Sequence, residues 1–472
     1  MIIFQKSKLI YFYIASLFTV ACACHAPIIL SKQEVNNNGE IRHQTLMPIE
    51  TTSPVYEGLK HSEIVFQFFR SRDYKMIWSN DTLQGLSESL MSVLDSIKFY
   101  GLSKNGYHID EINTRNNSEE KFPERIDALY ADAFISLAMD LRYGRLGTVS
   151  KPANVDSLLL QLLEHATSAN RIREVLEDQE PVHDGYKFLK TGLHEMLASL
   201  DIIQSVPAKA VTEDSILLQK QIQSVEVNME RWRAELPLPM RYIWINIPSY
   251  MLQMIDDSRI SFESKVIVGK FKNQTPVLSS EIECITIYPY WHVPRKITVE
   301  EYLPRIQKDT SFLTLNNFQI LDRKGNVVNK DSLHWDRFDK DYFPFTLRQR
   351  EGVENSLGVI KFTFDNPYAV YLHDTNAKVL FKKNGRALSH GCIRLDRALD
   401  LARYFAPDPT VIDTYIKLKQ RHTIVLAKAI PIFTRYLTCA SINGVLTYYE
   451  DVYKKDAAMI KQLYLQDQII GL

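Results

Sequence analysis

The stretch Arg241-Tyr242-Ile243-Trp244-Ile245-Asn246-Ile247 divides this chain into two textures. From it onward, short runs rich in β-branched and aromatic residues follow one another, at 242–247, 265–268, 282–287, 359–364, 369–373 and 422–426. Pro, Gly and Asn separate them, which is the pattern of strands on a partly buried sheet. Between Thr298 and Gly352 that signal thins, and Tyr302, Phe312, Trp335, Phe338, Tyr342, Phe343 and Phe345 crowd among charges. This segment reads either as a long surface loop with a small core of its own or as a lid over a neighbouring site, because long loops in compact domains are often functional.

Upstream the apolar period becomes three and four. Asn80-Asp81-Thr82 offers caps for a helix through Leu83, Leu86, Leu90, Leu94 and Ile97, with Gly101 to stop it. Pro123 opens a second helix, with Ile126, Leu129, Tyr130, Ala133, Phe134, Leu137 and Leu141 on one face and Gly144 at its end. Similar stripes run from Tyr186 to Ile203 and through Leu218, Ile222, Val225, Met229 and Trp232, stopping before Pro237. These stripes read as core packing. The expected class is α+β: a helical scaffold domain over 56–205, a connecting helix within 206–240, and a β-rich domain over 241–472 with the 298–352 segment inserted in it.

Composition narrows the function. Hydrophobic content of 45% and charged content of 24% are those of a globular chain, which disfavours wholesale disorder and a polytopic membrane protein. Fifty-six basic residues balance fifty-six acidic ones, so the basic excess that a nucleic-acid binder needs is missing. Five cysteines in 472 residues do not make a disulfide framework.

The N-terminus addresses the protein. Lys6 and Lys8 precede an apolar run over 9–21, broken only by Ser16 and Thr19. That is the length of a signal-peptide core and shorter than the ~20 residues of a membrane span. The run ends in Thr19-Val20-Ala21-Cys22, which resembles a bacterial lipoprotein signal in which Cys22 carries the lipid; ordinary cleavage and retention as an anchor remain open. Residues 1–22 are expected to export the chain to the cell envelope or periplasm and to be its one link to a membrane. The polar 23–55 segment, with Asn36-Asn37-Asn38, reads as a linker.

One segment carries chemistry. Tyr371-Leu372-His373-Asp374-Thr375 is followed, with fifteen residues intervening after His373, by Ser389-His390-Gly391-Cys392-Ile393-Arg394-Leu395. A nucleophilic thiol needs a base or cation that favours thiolate, an exposed position on a tight turn, and donors for an oxyanion. His373 can reach Cys392 from a neighbouring strand, and Gly391 allows the turn its backbone conformation. A helix expected after Asp396, with Leu399, Ala402 and Phe405 inward, would point its N-terminus at the thiol and favour thiolate by up to about 1 kcal/mol. Arg394 suits a substrate carboxylate, unless it pairs with Asp396 or Asp400, and Tyr371 suits either packing or the site.

Competing readings exist. An isolated cysteine is most often a buried small hydrophobe. Cys284 and Cys439 fit that description or pair as a disulfide, whereas His, Gly and Arg surround Cys392. His373, His390 and Cys392 could hold zinc, but neither CxxC nor HExxH spacing is present, so no metal is assigned. A papain-like order fails, because there the cysteine precedes its histidine by over a hundred residues.

The His373 to Ser389-His390-Gly391-Cys392 spacing closely resembles the signature of the L,D-transpeptidase catalytic domain, which remodels bacterial peptidoglycan. Arg231-Trp232-Arg233, Ile245-Asn246-Ile247-Pro248, the 266–270 run with Thr275-Pro276, and Pro289-Tyr290-Trp291-His292-Val293-Pro294 extend the likeness over about 225–460, to the long multi-domain envelope type. Trp78, Tyr107-His108 and 130–144 resemble that type's helical scaffold, and 298–352 its capping loop. The peptidoglycan-binding module those enzymes commonly insert is absent between Tyr186 and Arg231.

The resemblance implies that Cys392 attacks the carbonyl of the third residue of a tetrapeptide stem. D-Ala leaves, and an amine of a neighbouring stem resolves the thioester into a 3→3 crosslink. His373 is carried over as base and acid, its ring held by the Asp374 carbonyl, with His390 and Gly391 lining the oxyanion hole. Ser389, Tyr371 and Arg394 are carried over as supports or substrate contacts. The partners implied are peptidoglycan stem peptides; no cofactor is implied, and carbapenems act as false acyl donors. Water as acceptor would make an L,D-carboxypeptidase, an envelope protein as acceptor an anchoring enzyme, and loss of chemistry a wall-binding scaffold.

Overall fold

The computed structural model describes residues 31–35, 41–45, 47–48, 50–78, 85–116, 122–147, 151–205, 213–442 and 444–469. The 1–22 signal with Cys22, much of the 23–55 linker and the Asn80-Asp81-Thr82 caps lie outside the described residues. Among the described residues, no helix is long and apolar enough to cross a membrane. The chain forms two compact units, one from residues within 1–90, 107–136 and 154–172, the other from 91–106, 137–153 and 173–472.

The first unit contains an antiparallel pair, β1 (Ser31–Val35) with β2 (Ile41–Thr45), and helices Ser62–Arg70, Ile109–Asn116 and Val155–Ser168. It also holds the start of helix Pro123–Tyr143, which begins at the proline and stops before Gly144 as its spacing predicts. Two fully buried carboxylates on that helix tie down irregular backbone. Asp127 Oδ2 accepts from the Ile77 and Trp78 N–H groups at 2.6 and 3.0 Å. Asp132 accepts from the His61 N–H at 2.7 Å and contacts His108 Nε2 at 2.7 Å. The expected helix through Ile97 is shorter, ending at Asp95 before a 3-10 turn over Ile97–Tyr100. Ser96 causes the change: its hydroxyl donates back to the Ser92 and Val93 carbonyls at 2.9 and 3.0 Å, competing with the helical ladder.

In the second unit, helices Asp184–Ser205 and Glu213–Arg233 pack on each other through Leu189, Leu193, Val225 and Met229. The main sheet is built from β3 (Arg241–Asn246), β4 (Met251–Asp256), β5 (Arg259–Gly269), β6 (Leu278–Ile287), and, after an insertion, β11 (Ile360–Phe364), β12 (Leu372–His373), β13 (Ala387–Ser389), β14 (Ile393–Leu395) and β15 (His422–Arg435). Its order is β13-β5-β14-β12-β11-β6-β15-β3-β4. β5 is long enough to pair with β4 at its start and with β14 and β13 at its end, so the run of strands returns on itself. Ile245, Leu252, Val266, Ile285, Phe362, Leu372 and Ile393 fill the interior with helix Ala398–Phe405, whose Leu401, Ala402 and Phe405 are buried. Burying such large apolar side chains contributes about 1.5–3 kcal/mol each.

β12 is shorter than the 369–373 run suggests. Asn366 accepts from the Tyr368 and Val370 N–H groups and donates to the Phe364 and Val370 carbonyls, and Ala369 adopts φ 53°, so the approach to β12 is a turn.

The crowded aromatic segment is an ordered insertion that begins earlier than 298. β7 (Trp291–His292), β8 (Phe318–Leu321), β9 (Val327–Val328) and β10 (Thr346–Gln349) form a separate sheet, in the order β7-β10-β8-β9. Trp291, Leu303, Ile306, Leu313, Trp335, Phe343 and Leu347 are its core. The small core is present, while Tyr342 remains 58% exposed. A C-terminal helix, Asp456–Ile469, was not expected within the β-rich domain, because its apolar positions form no single face.

Candidate active site

Strand register brings the signature residues together. β12 and β14 run parallel, with Leu372 beside Ile393 and His373 beside Arg394. Cys392, one residue before β14, therefore falls beside Tyr371, whose carbonyl accepts the Ile393 N–H at 3.1 Å. The Tyr371 side chain faces the Cys392 thiol and Trp291 of the insertion across the same cavity. The thiol itself points to the Ala369 carbonyl at 3.9 Å.

His373 is buried, and its Nδ1 lies 2.5 Å from the Asp374 carbonyl oxygen. A carbonyl only accepts, so the ring proton sits on Nδ1 and Nε2 keeps its lone pair. The Asp374 side chain faces elsewhere: Oδ2 accepts from the Val359 N–H at 2.9 Å, and Oδ1 pairs with Lys378 at 2.6 Å. Gly358, at φ 59°, makes that approach possible, because a Cβ there would collide with the Asp374 carboxylate.

The turn is braced by its first residue. Ser389 Oγ donates to the Cys392 carbonyl at 2.6 Å and accepts from the Gly391 N–H at 3.1 Å. The Gly391 carbonyl accepts from Thr275 Oγ1 at 2.8 Å, and the Ser389 carbonyl from the Lys270 N–H at 2.9 Å. Gly391 adopts φ 117°, a conformation glycine tolerates best.

Cys392, His373, Tyr371, Ser389, His390 and Arg394 line one cavity of about 330 Å³. Gly391 and Asp374 lie behind it as supports. The electrostatics depart from the sequence expectation of a ready thiolate. Burial pushes the Cys392 thiol above its usual range, and the opposing pull of Tyr371, Lys361 and Arg394 is smaller. Burial, with Arg394 and Lys361 adding to it, pushes His373 down to about 3. Both shifts favour the uncharged forms, a neutral thiol and a neutral imidazole lining one cavity. Helix Ala398–Phe405 does not reverse this: β14 and its following turn separate its start from Cys392.

Arg394 pairs with neither Asp396 nor Asp400. Asp400 is held by Arg397 and Arg403, while Arg394 Nε is buried without a hydrogen-bond partner. Cys284 and Cys439 are both free thiols. Among the described residues, no group of three or more His, Cys, Asp or Glu side chains is placed to hold a metal.

Several site residues escaped the sequence reading. Lys361 pairs with His373 across β11 and β12, and its Nζ lies 4.2 Å from the Tyr371 ring centroid. The signal was available: on β11, Ile360 and Phe362 face the core, so Lys361 must face the other way. Glu301, in the insertion, lines the cavity and contacts His390 Nε2 at 2.6 Å; nothing local in sequence marks it.

A β-rich domain that sets a histidine and a cysteine of this spacing at one cavity defines a class, and comparison with known proteins names it. Residues 240–412 match the model of the L,D-transpeptidase catalytic domain, and residues 63–193 match a scaffold domain. A Haemophilus influenzae protein provisionally named L,D-transpeptidase is 28% identical over 419 residues, 88% of this chain and 82% of that one. Residues 240–412 are thus similar to the L,D-transpeptidase catalytic domain and residues 63–193 to a scaffold domain, and the relative carries the likeness over most of the chain. Among solved structures, an L,D-transpeptidase from Mycobacterium smegmatis aligns at TM-score 0.20 and 14% identity, over 42% of this chain and 58% of that one. The catalytic domain of the E. faecium L,D-transpeptidase acylated by ertapenem aligns at 0.21 and 12%, over 42% of this chain and all of that one.

Proposed function

We propose that this chain is a cysteine-dependent L,D-transpeptidase that joins peptidoglycan stem peptides by 3→3 crosslinks. The observation that carries the reading is the His373 tautomer: Nδ1–H donates to the Asp374 carbonyl, which leaves Nε2 to receive a proton in the cavity that holds Cys392.

Cys392 Sγ attacks the carbonyl carbon of the third residue of a tetrapeptide stem as its proton passes to His373 Nε2. Because both groups rest neutral, this transfer accompanies the attack instead of preceding it. The Gly391 N–H is occupied by Ser389, so the oxyanion donors in this reading are the N–H groups of His390 and Cys392. Collapse breaks the peptide bond, the amine of D-Ala leaves with the proton from His373, and a thioester remains on Cys392. A side-chain amine of a second stem then attacks the thioester and gives its proton to His373. The tetrahedral intermediate expels the Cys392 sulfur, which takes that proton back, and the new amide is the crosslink. The unpartnered Nε of Arg394 supports a carboxylate contact at the cavity wall. No step requires a metal or an organic cofactor. The place of action in this reading is the cell envelope, to which the 1–22 segment and Cys22 direct the chain.

Intact mass after incubation with a carbapenem tests the nucleophile, beside Cys392→Ala and a chelator control. One adduct on the wild type alone, indifferent to chelator, is expected; an adduct on Cys392→Ala overturns the assignment. Incubation with a disaccharide tetrapeptide tests the outcome. A crosslinked dimer with released D-Ala is expected, and tripeptide alone would mean that water is the acceptor.

A further inference from the structure

We infer that Thr275 and Tyr453 are positioning residues of the acyl-transfer step: together they lock the peptide plane that aims the Cys392 N–H at the oxyanion. The inference rests on the nucleophile reading above.

The two side chains form a closed, buried hydrogen-bond circuit beneath the catalytic turn. Thr275 Oγ1 accepts the Gly269 N–H at 2.9 Å and donates to the Gly391 carbonyl at 2.8 Å. Tyr453 Oη donates to the Gly269 carbonyl at 2.7 Å and accepts the Thr275 N–H at 3.1 Å. Thr275 is fully buried and Tyr453 is 3% exposed, so no water competes for these groups. The circuit is anchored beyond itself. The Tyr453 N–H donates to Tyr436 Oη at 2.7 Å, and Tyr436 Oη donates to Asp451 Oδ1 at 2.6 Å.

Peptide planarity converts this circuit into aim. Within one trans peptide unit the C=O and N–H point in opposite directions. The Gly391 carbonyl is drawn inward by Thr275, so the Cys392 N–H of the same unit must point outward. The Ser389 carbonyl is drawn inward by the Lys270 N–H, which turns the His390 N–H outward as well. The plane between them is reversed, with its Gly391 N–H held by Ser389 Oγ. Alternate planes thus present two donors on the cavity side, and the Thr275 side chain fixes the nearer of them. Gly269 completes the fit, because a Cβ there would collide with the backbone of Asn273. A hydroxyl 117 positions from the nucleophile and a second in the C-terminal segment therefore act through main chain that contacts substrate, without touching substrate themselves.

The test separates aim from general integrity by using two reactions of the same thiol. Acylation by a carbapenem builds an oxyanion; alkylation by iodoacetamide is a displacement at carbon that builds none. Thr275→Val keeps shape and removes the hydroxyl, and Thr275→Ser restores it. The expected result is a loss of about tenfold or more in maximal acylation rate for Thr275→Val, by analogy with the loss of one oxyanion donor. Its alkylation rate and alkylation pH profile should match the wild type, and Thr275→Ser should recover acylation. Tyr453→Phe, which removes the second hydroxyl, should fall between and serves if Thr275→Val does not fold. Equal acylation by wild type and the folded variants overturns the inference. A parallel loss of alkylation and acylation also overturns it, by making the circuit a support of the thiol in general. A wild type that no carbapenem acylates removes the nucleophile reading itself, and the inference with it.

Discussion

Glu301 Oε1 lies 2.6 Å from His390 Nε2, which ties the insertion to the turn that carries Cys392. Lys270 Nζ approaches the same nitrogen at 3.5 Å, from the opposite charge. The shorter contact, to a carboxylate, places a proton on Nε2 and makes Glu301 its acceptor. Both partners are about a third exposed, so the pair contributes less than about 1 kcal/mol to folding. Its larger effect is on the wall of the cavity that both residues line.

Glu301→Ala should therefore raise the carbapenem concentration for half-maximal acylation while leaving the melting temperature within a few degrees. The maximal rate should change less, because the main-chain donors of the turn remain. A concentration series of acylation rates measures both. An unchanged half-saturating concentration would sever Glu301 from ligand capture.

The neutral resting pair predicts a distinctive pH response. His373 is pushed down to about 3 and the Cys392 thiol is pushed up, so neither changes charge between pH 5 and 8. Carbapenem acylation should show no inflection near pH 6.5, where an ordinary imidazole titrates. Iodoacetamide alkylation, which needs thiolate, should rise only above the ordinary thiol range. Fast alkylation at pH 6 would indicate a preformed ion pair instead. The same shift sets a sign for stability. Between about 3 and 6.5 the unfolded imidazole binds a proton that the folded one refuses, so His373 destabilises the fold as pH falls through that window; its contribution is fully favourable above it.

How legible this was depended on range along the chain. Helix Pro123–Tyr143 could be read from its proline, its stripe and its glycine, because all three signals are local. That His373 and Cys392 would come to one cavity was legible from type and spacing, and the parallel β12–β14 register shows how the eighteen residues between them return the chain to the neighbouring strand. Lys361 was half legible, from alternation on β11. Glu301, Thr275 and Tyr453 were not, because their roles come from contacts spanning 89, 116 and 184 positions that no window reveals. The state of the thiol was misjudged for a related reason: charge and helix dipole are visible in sequence, whereas the burial that outweighs them is not.

Gly358 is a position where a methyl group should be felt. Its φ of 59° lies in the left-handed region, and a Cβ would meet the Asp374 carboxylate that accepts the Val359 N–H at 2.9 Å. Gly358→Ala should cost more than about 1 kcal/mol in stability. It should also slow acylation, because Asp374 carries the carbonyl that fixes the His373 ring. Thermal unfolding and a carbapenem time course read the two effects, and a variant as stable as wild type would mean that the loop yields without strain.

Arg394 offers the sharpest contrast between ligands. Arg394 lines the cavity that also holds Cys392, its buried Nε has no hydrogen-bond partner, and burial disfavours its charge, so an anionic ligand group would complement it. A guanidinium presents a planar fork to a carboxylate, which an ammonium cannot reproduce. Charge-assisted hydrogen bonds contribute about 1.5–3 kcal/mol, so Arg394→Lys should lower acylation efficiency by roughly ten- to a hundredfold for a carbapenem bearing its carboxylate. The same drug as a neutral ester should lose the dependence on Arg394, and iodoacetamide should alkylate both proteins alike. If the ester and the free acid suffer equally, Arg394 supports the strand beside His373 instead of recognising a charge, and the carboxylate site must be sought elsewhere on the cavity wall.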